Sequence, residues 1–113
     1  MTPRQVLRQL LERDKLLVAP GCFDGLSARL VEQAGFEAAY LSGGALARSM
    51  GIPDIGLVTM SEVIERAAQV TSVVNIPVIA DADTGYGNAV NLVRTVRAYE
   101  RAGVAAIDRK SVV

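Results

Sequence analysis

The sequence contains no histidine, no tryptophan and a single cysteine, and each absence removes a class of chemistry. Without histidine there is neither a Ser-His or Cys-His nucleophile pair nor a zinc site. One cysteine, Cys22, cannot close an internal disulfide. An excess of charge is also lacking: Lys+Arg and Asp+Glu number 12 each, and no basic cluster marks a face for phosphate backbones or anionic lipid. Nucleic-acid and membrane partners are therefore not expected. Apolar runs such as Leu16 to Pro20 and Val78 to Ala80 fall far short of the ~20 residues of a membrane helix. The N-terminus sets Arg4, Arg8 and Glu12 among its leucines and has no signal-like apolar core, so a cytoplasmic location is expected. Carboxylates, hydroxyls and backbone amides remain to carry any chemistry.

The 113 residues are 50% hydrophobic and 21% charged, a balance that suits one globular domain or part of one. Short aliphatic runs alternate with longer amphipathic ones, which predicts α/β structure with parallel strands. Thr2 and Pro3 read as the cap and first residue of a helix whose stripe is Val6, Leu7, Leu10 and Leu11. A first strand is expected at Leu16–Ala19, stopped by Pro20 and Gly21. Asp24 caps a helix expected to turn Leu26, Leu30, Val31 and Ala34 inward, with Gly35 as its stop. The second strand is Ala38–Leu41. A long loop then follows from Ser42 to Gly56, rich in small residues. Thr59 and Glu62 form a capping box for a helix reaching about Val73. Val78–Ala80 is the third strand. Asn88 caps a helix that stops at Gly103, and Val104–Ile107 is the fourth strand.

In parallel α/β folds ligands bind at the carboxyl ends of the strands, and there this chain places its unusual residues. Asp81 and Asp83, at i and i+2, would point the same way from a strand end, where their like charges call for a shared cation. Oxygen ligands without histidine or thiolate favour Mg²⁺ or Mn²⁺; a helix cap and a turn residue is the alternative. Ser42-Gly43-Gly44 can form an anion nest from successive N–H groups or a flexible turn. Asp54 can join a metal shell or cap a turn. Cys22 reads as a buried small residue.

Taken in order, Pro20-Gly21-Cys22-Phe23-Asp24, Ala39-Tyr40-Leu41-Ser42-Gly43-Gly44, Gly51-Ile52-Pro53-Asp54 and Ile79-Ala80-Asp81-Ala82-Asp83-Thr84-Gly85-Tyr86-Gly87 resemble the isocitrate lyase and phosphoenolpyruvate mutase superfamily. Within it the likeness is to the 2-methylisocitrate lyase, oxaloacetate decarboxylase and carboxyphosphonoenolpyruvate phosphonomutase group. The resemblance implies a (β/α)8 barrel, usually in a homotetramer, acting on small 2-hydroxy or 2-oxo carboxylic acids through Mg²⁺ and an enolate-like intermediate. By position it implies that Tyr40, Ser42, Gly43 and Gly44 line the substrate site, the last three holding a carboxylate or phosphonate. It further implies that Asp54, Asp81 and Asp83 hold Mg²⁺, directly or through water.

The chain also departs from that pattern. A metal-shell acid in a segment like Ile-Glu-Asp-Gln and a gating loop of the Lys-Arg-Cys-Gly-His type, which carries the lyases' acid/base cysteine, are both missing. No catalytic residue is therefore assigned. Such a barrel needs ~250 residues, so residues 1–107 are expected to form a partial barrel with strands one to four. The last residues, Asp108-Arg109-Lys110-Ser111-Val112-Val113, are what the codons GAT CGG AAG AGC GTC GTG encode ahead of a TAG stop. That string belongs to a widely used sequencing adapter, and residues 108–113 are read as a non-native tail. Two rival readings are an inactive fragment and a small receiver-like Mg²⁺-binding signalling module. The latter wants its acidic pair after the first strand, where this chain has Pro20-Gly21.

Overall fold

The computed structural model describes residues 1–110. Nine elements follow in order: α1 (Pro3–Glu12), β1 (Gly21–Cys22), α2 (Gly25–Gln33), β2 (Ala39–Leu41), α3 (Gly43–Ser49), α4 (Met60–Thr71), β3 (Val78–Asp81), α5 (Ala89–Arg101) and β4 (Ala106–Asp108). The four strands are parallel and lie in the order β1-β2-β3-β4. Each helix start uses a local cap. Thr2 and Asp24 each close a capping box three residues on, with Gln5 and Ser27 respectively, and Thr59 does so with Glu62. The Asn88 side chain accepts from the amides of Val90 and Asn91. Such caps are worth about 1 kcal/mol each.

Strand alternation sorts the sheet into two unlike faces. Cys22, Ala39, Leu41, Val78 and Ala80 are buried against a helical layer supplied by Ala28 and Val31 of α2, Val63, Ala67 and Val70 of α4, and Tyr99 of α5. Full burial of a side chain such as Leu41 contributes about 1.5–3 kcal/mol. Tyr40, Ile79 and Asp81 lie on the other face and are only half-buried. That face runs into the carboxyl rim.

Several expectations are corrected. The first strand is not Leu16–Ala19 but Gly21–Cys22: Leu16 and Val18 are 83% and 52% exposed, and pairing begins only where the Tyr40 amide donates to the Pro20 carbonyl. A strand exists where a neighbour supplies partners, and β1 is the sheet's edge. The fourth strand shifts likewise, to Ala106–Asp108, and so enters the segment read as a tail; Ser111 to Val113 lie outside the described residues. In α2, Leu26 and Leu30 face outward at 69% and 56% exposure, and Ala34 is exposed as well, because the small Ala28 side chain and Val31 take the close approach to the sheet. The expected long loop contains a helix, α3, whose cap is Ser42 accepting from the Ala45 amide. Two glycines at the start of α3 hid it from propensity.

Candidate functional site

At the carboxyl rim a cavity of about 380 Å³ is lined by Gly43 and Ala47 of α3, the segment Pro53 to Val58, Val63, Asp81, Asp83, Tyr86 and Lys110. Gly43, Asp54, Asp81 and Asp83 are thereby brought to one place from three separate stretches of chain. Tyr40, Ser42 and Gly44 are not among its lining residues. Ser42 spends its hydroxyl on the cap of α3. Tyr40 reaches the rim from the side, its hydroxyl donating to Asp108 Oδ2 at 2.8 Å. Burial first, and then the hydrogen bond to Asp108, push its phenol up and keep it protonated.

Asp81 is the centre of this rim. As the last residue of β3 its side chain is 19% exposed. Its Oδ1 accepts from the Asp83 amide at 2.9 Å and from Lys110 Nζ at 2.8 Å, while Oδ2 accepts from the Gly43 amide at 3.3 Å. The buried Tyr99 hydroxyl donates to the Asp81 carbonyl at 3.0 Å and fixes its backbone. Burial pushes the Tyr99 phenol up, so that donor keeps its proton.

Beyond Asp81 the strand geometry ends. Asp83 and Tyr86 take left-handed φ values of 49° and 58°, a conformation few non-glycine residues adopt. Asp83 therefore does not simply repeat the direction of Asp81. It turns back so that its amide binds the Asp81 carboxylate, while its own exposed side chain still lines the cavity. Among the described residues no three acidic or thiol side chains form a ready metal cluster.

Two glycines make room for the carboxylates. A Cβ on Gly43 would lie 2.7 Å from Asp81 Oδ2, and one on Gly44 would lie 2.9 Å from Asp54 Oδ2 and 3.2 Å from Arg48 Nη1. The Gly43 amide, expected as part of an anion nest, is directed at Asp81 instead.

The donor set suits a hard divalent cation. Mg²⁺ keeps most of its waters and takes one or two carboxylates directly, and an ammonium, that of Lys110, already sits at Asp81. Lys110 and Asp108 were not singled out by sequence. The signal lay in the rim rule itself, since Asp108 ends β4, Lys110 follows it, and the register sets Asp108 beside Asp81. Cys22 is fully buried, and burial together with the Asp24 charge pushes its thiol up to about 11; it has no part in the cavity.

Comparison with known proteins gives the family and the fold. Residues 7–108 match the family model described as phosphoenolpyruvate phosphomutase. The chain is 52% identical over 106 residues to a 2-methylisocitrate lyase of Aeropyrum pernix, covering 94% of this chain and 34% of that protein. Among solved structures, 2,3-dimethylmalate lyase, a PEP mutase/isocitrate lyase superfamily member, superposes with a TM-score of 0.92 at 42% identity, over 100% of this chain and 38% of the other. A phosphonopyruvate hydrolase complexed with oxalate and Mg²⁺ gives a TM-score of 0.92 at 44% identity, over 95% of this chain and 38% of the other. The chain thus spans about a third of the length of the curated relatives it matches. Its parallel α/β sheet is an N-terminal part of a (β/α)8 barrel.

Proposed function

The chain belongs to the phosphoenolpyruvate phosphomutase family, and from that premise we propose that it carries the cation- and carboxylate-binding part of a Mg²⁺-dependent carbon–carbon lyase or decarboxylase. The substrate class is small 2-hydroxy or 2-oxo carboxylic acids. The observation that carries this reading is the meeting of Asp54, Asp81, Asp83 and Gly43 around one cavity at the carboxyl rim, where parallel α/β enzymes do their chemistry. Mg²⁺, with Mn²⁺ as a substitute, supplies Lewis-acid stabilisation of the negative charge that grows on an α-oxo oxygen as the bond breaks.

The chain's own residues do the rest of the local work. Asp81 offers the main carboxylate, oriented by the Asp83 and Gly43 amides and held from behind by Tyr99. Asp83 and Asp54 face the same space and suit contact through water. Ser42 caps α3 and sets its start beside Asp81, with the Gly43 amide turned to that carboxylate. Tyr40, protonated and donating its hydroxyl hydrogen bond to Asp108, holds that carboxylate at the rim from outside the cavity's lining. The segment Pro53 to Val58 lines one side of the cavity.

The test is a Mn²⁺ titration of the 113-residue chain, following the EPR signal of free Mn²⁺ with and without oxalate as a small dicarboxylate probe. One site per chain, tightened by oxalate and lost on Asp81→Ala, is the expected result. Binding unchanged by both Asp81→Ala and Asp83→Ala would refute the metal assignment.

A further inference from the structure

Resting on the metal reading above, we propose that Lys110 is a tethered cation that competes with the divalent ion for Asp81, so that this chain's metal site is partly self-blocked. A carboxylate presents about four lone-pair positions, two on each oxygen. On Asp81, Oδ1 is filled by the Asp83 amide at 2.9 Å and by Lys110 Nζ at 2.8 Å, and Oδ2 already takes the Gly43 amide at 3.3 Å. One position is left, beside Gly43. A direct metal–oxygen bond of ~2.1 Å at Oδ1 therefore has to displace either a backbone amide or the ammonium. The amide belongs to a tight turn and cannot leave without unfolding it; the ammonium sits on a flexible stem.

The ammonium's position is built rather than incidental. The Lys110 amide donates to the Asp83 carbonyl at 2.7 Å, anchoring its backbone against the turn that carries the second acid. Asp108 Oδ2 stands 4.0 Å from the same Nζ, at the limit of an ion pair. Register pairs Asp81 with Asp108 across β3 and β4, so the two carboxylates that attract the ammonium are neighbours by sheet geometry. Lys110 is half-exposed and lines the cavity, so it can swing into solvent when a divalent ion takes its place.

Mn²⁺ affinity, read by the EPR signal of the free ion at constant pH and ionic strength, distinguishes the possibilities in the 113-residue chain. Lys110→Ala and Lys110→Met are expected to bind about tenfold more tightly than the parent, which corresponds to about 1.4 kcal/mol. Lys110→Arg, which retains a cation, stays within about twofold. Arg109→Ala removes an equal charge from the same segment without touching Asp81 and is also expected to stay within about twofold. Circular dichroism checks that the variants share the parent's fold. If Lys110→Ala gains no more than Arg109→Ala while Asp81→Ala abolishes binding, the metal reading stands and the competition proposal falls. If no variant binds Mn²⁺, both fall together.

Discussion

Replacing Gly43 with alanine tests the packing on which the site depends. The added Cβ would lie 2.7 Å from Asp81 Oδ2 and 3.3 Å from its Cγ, so the oxygen must retreat by about 0.7 Å to reach ordinary contact near 3.4 Å. Asp81 has little freedom to do so. Its Oδ1 is held by the Asp83 amide and Lys110 Nζ, and its carbonyl by the Tyr99 hydroxyl. Overpacking of this kind costs about 1–3 kcal/mol, and a disturbed Gly43 N–H contact adds about 1. Against this, glycine to alanine in a helix recovers up to about 1 kcal/mol. The net expectation is a loss of about 1–3 kcal/mol, or a melting temperature lower by about 5 °C or more.

Gly44→Ala is the internal control. Its Cβ would meet Asp54 Oδ2 at 2.9 Å and Arg48 Nη1 at 3.2 Å, but both residues are exposed and their ends can swing aside. Little change is expected there. Thermal denaturation followed by circular dichroism at one protein concentration, with a parallel Mn²⁺ titration, reads both variants. Gly43→Ala should melt lower and bind Mn²⁺ more weakly. If it melts with Gly44→Ala and binds like the parent, the carboxylate does not depend on the missing side chain and the reasoning is wrong.

Two further outcomes are expected. Burial raises the Cys22 thiol to about 11, so the folded state keeps a proton that the unfolded chain loses near pH 9. This contribution is intact below pH 9 and declines as pH rises towards 11, by up to about 2–3 kcal/mol. Iodoacetamide should label Cys22 at pH 8 only after denaturant is added, and rapid labelling of the native chain would contradict its burial. The chain should also self-associate, because Leu16, Leu26, Leu30, Val90 and Val93 are all more than half exposed and the outer edges of β1 and β4 carry no further strand among the described residues. Sedimentation velocity showing a single monomer across micromolar concentrations would count against this.

Short-range chemistry was legible in the sequence. The caps at Thr2, Asp24, Thr59 and Asn88, the stops at Gly35 and Gly103, and the βα alternation each depend on residues within a few positions of one another, and the structure realises them all. The gathering of Gly43, Asp81 and Asp83 at one rim followed from a general property of parallel sheets, whereas Asp54, between α3 and α4, was expected there only from the family resemblance. Four things did not follow, for one reason in each case. The bounds of β1 and β4 depend on which neighbours supply hydrogen bonds, so Leu16–Ala19 reads as a strand and is not one. The inward face of α2 is chosen by the closeness of its approach to the sheet, which favours Ala28 over Leu26 and Leu30. The start of α3 is held by the Ser42 cap and by a carboxylate from a strand 38 residues away, against its own glycines. The ammonium at Asp81 comes from Lys110, 29 residues along the chain; only the pairing of β3 with β4 brings the two within reach, because register is a property of two strands together and of neither one alone.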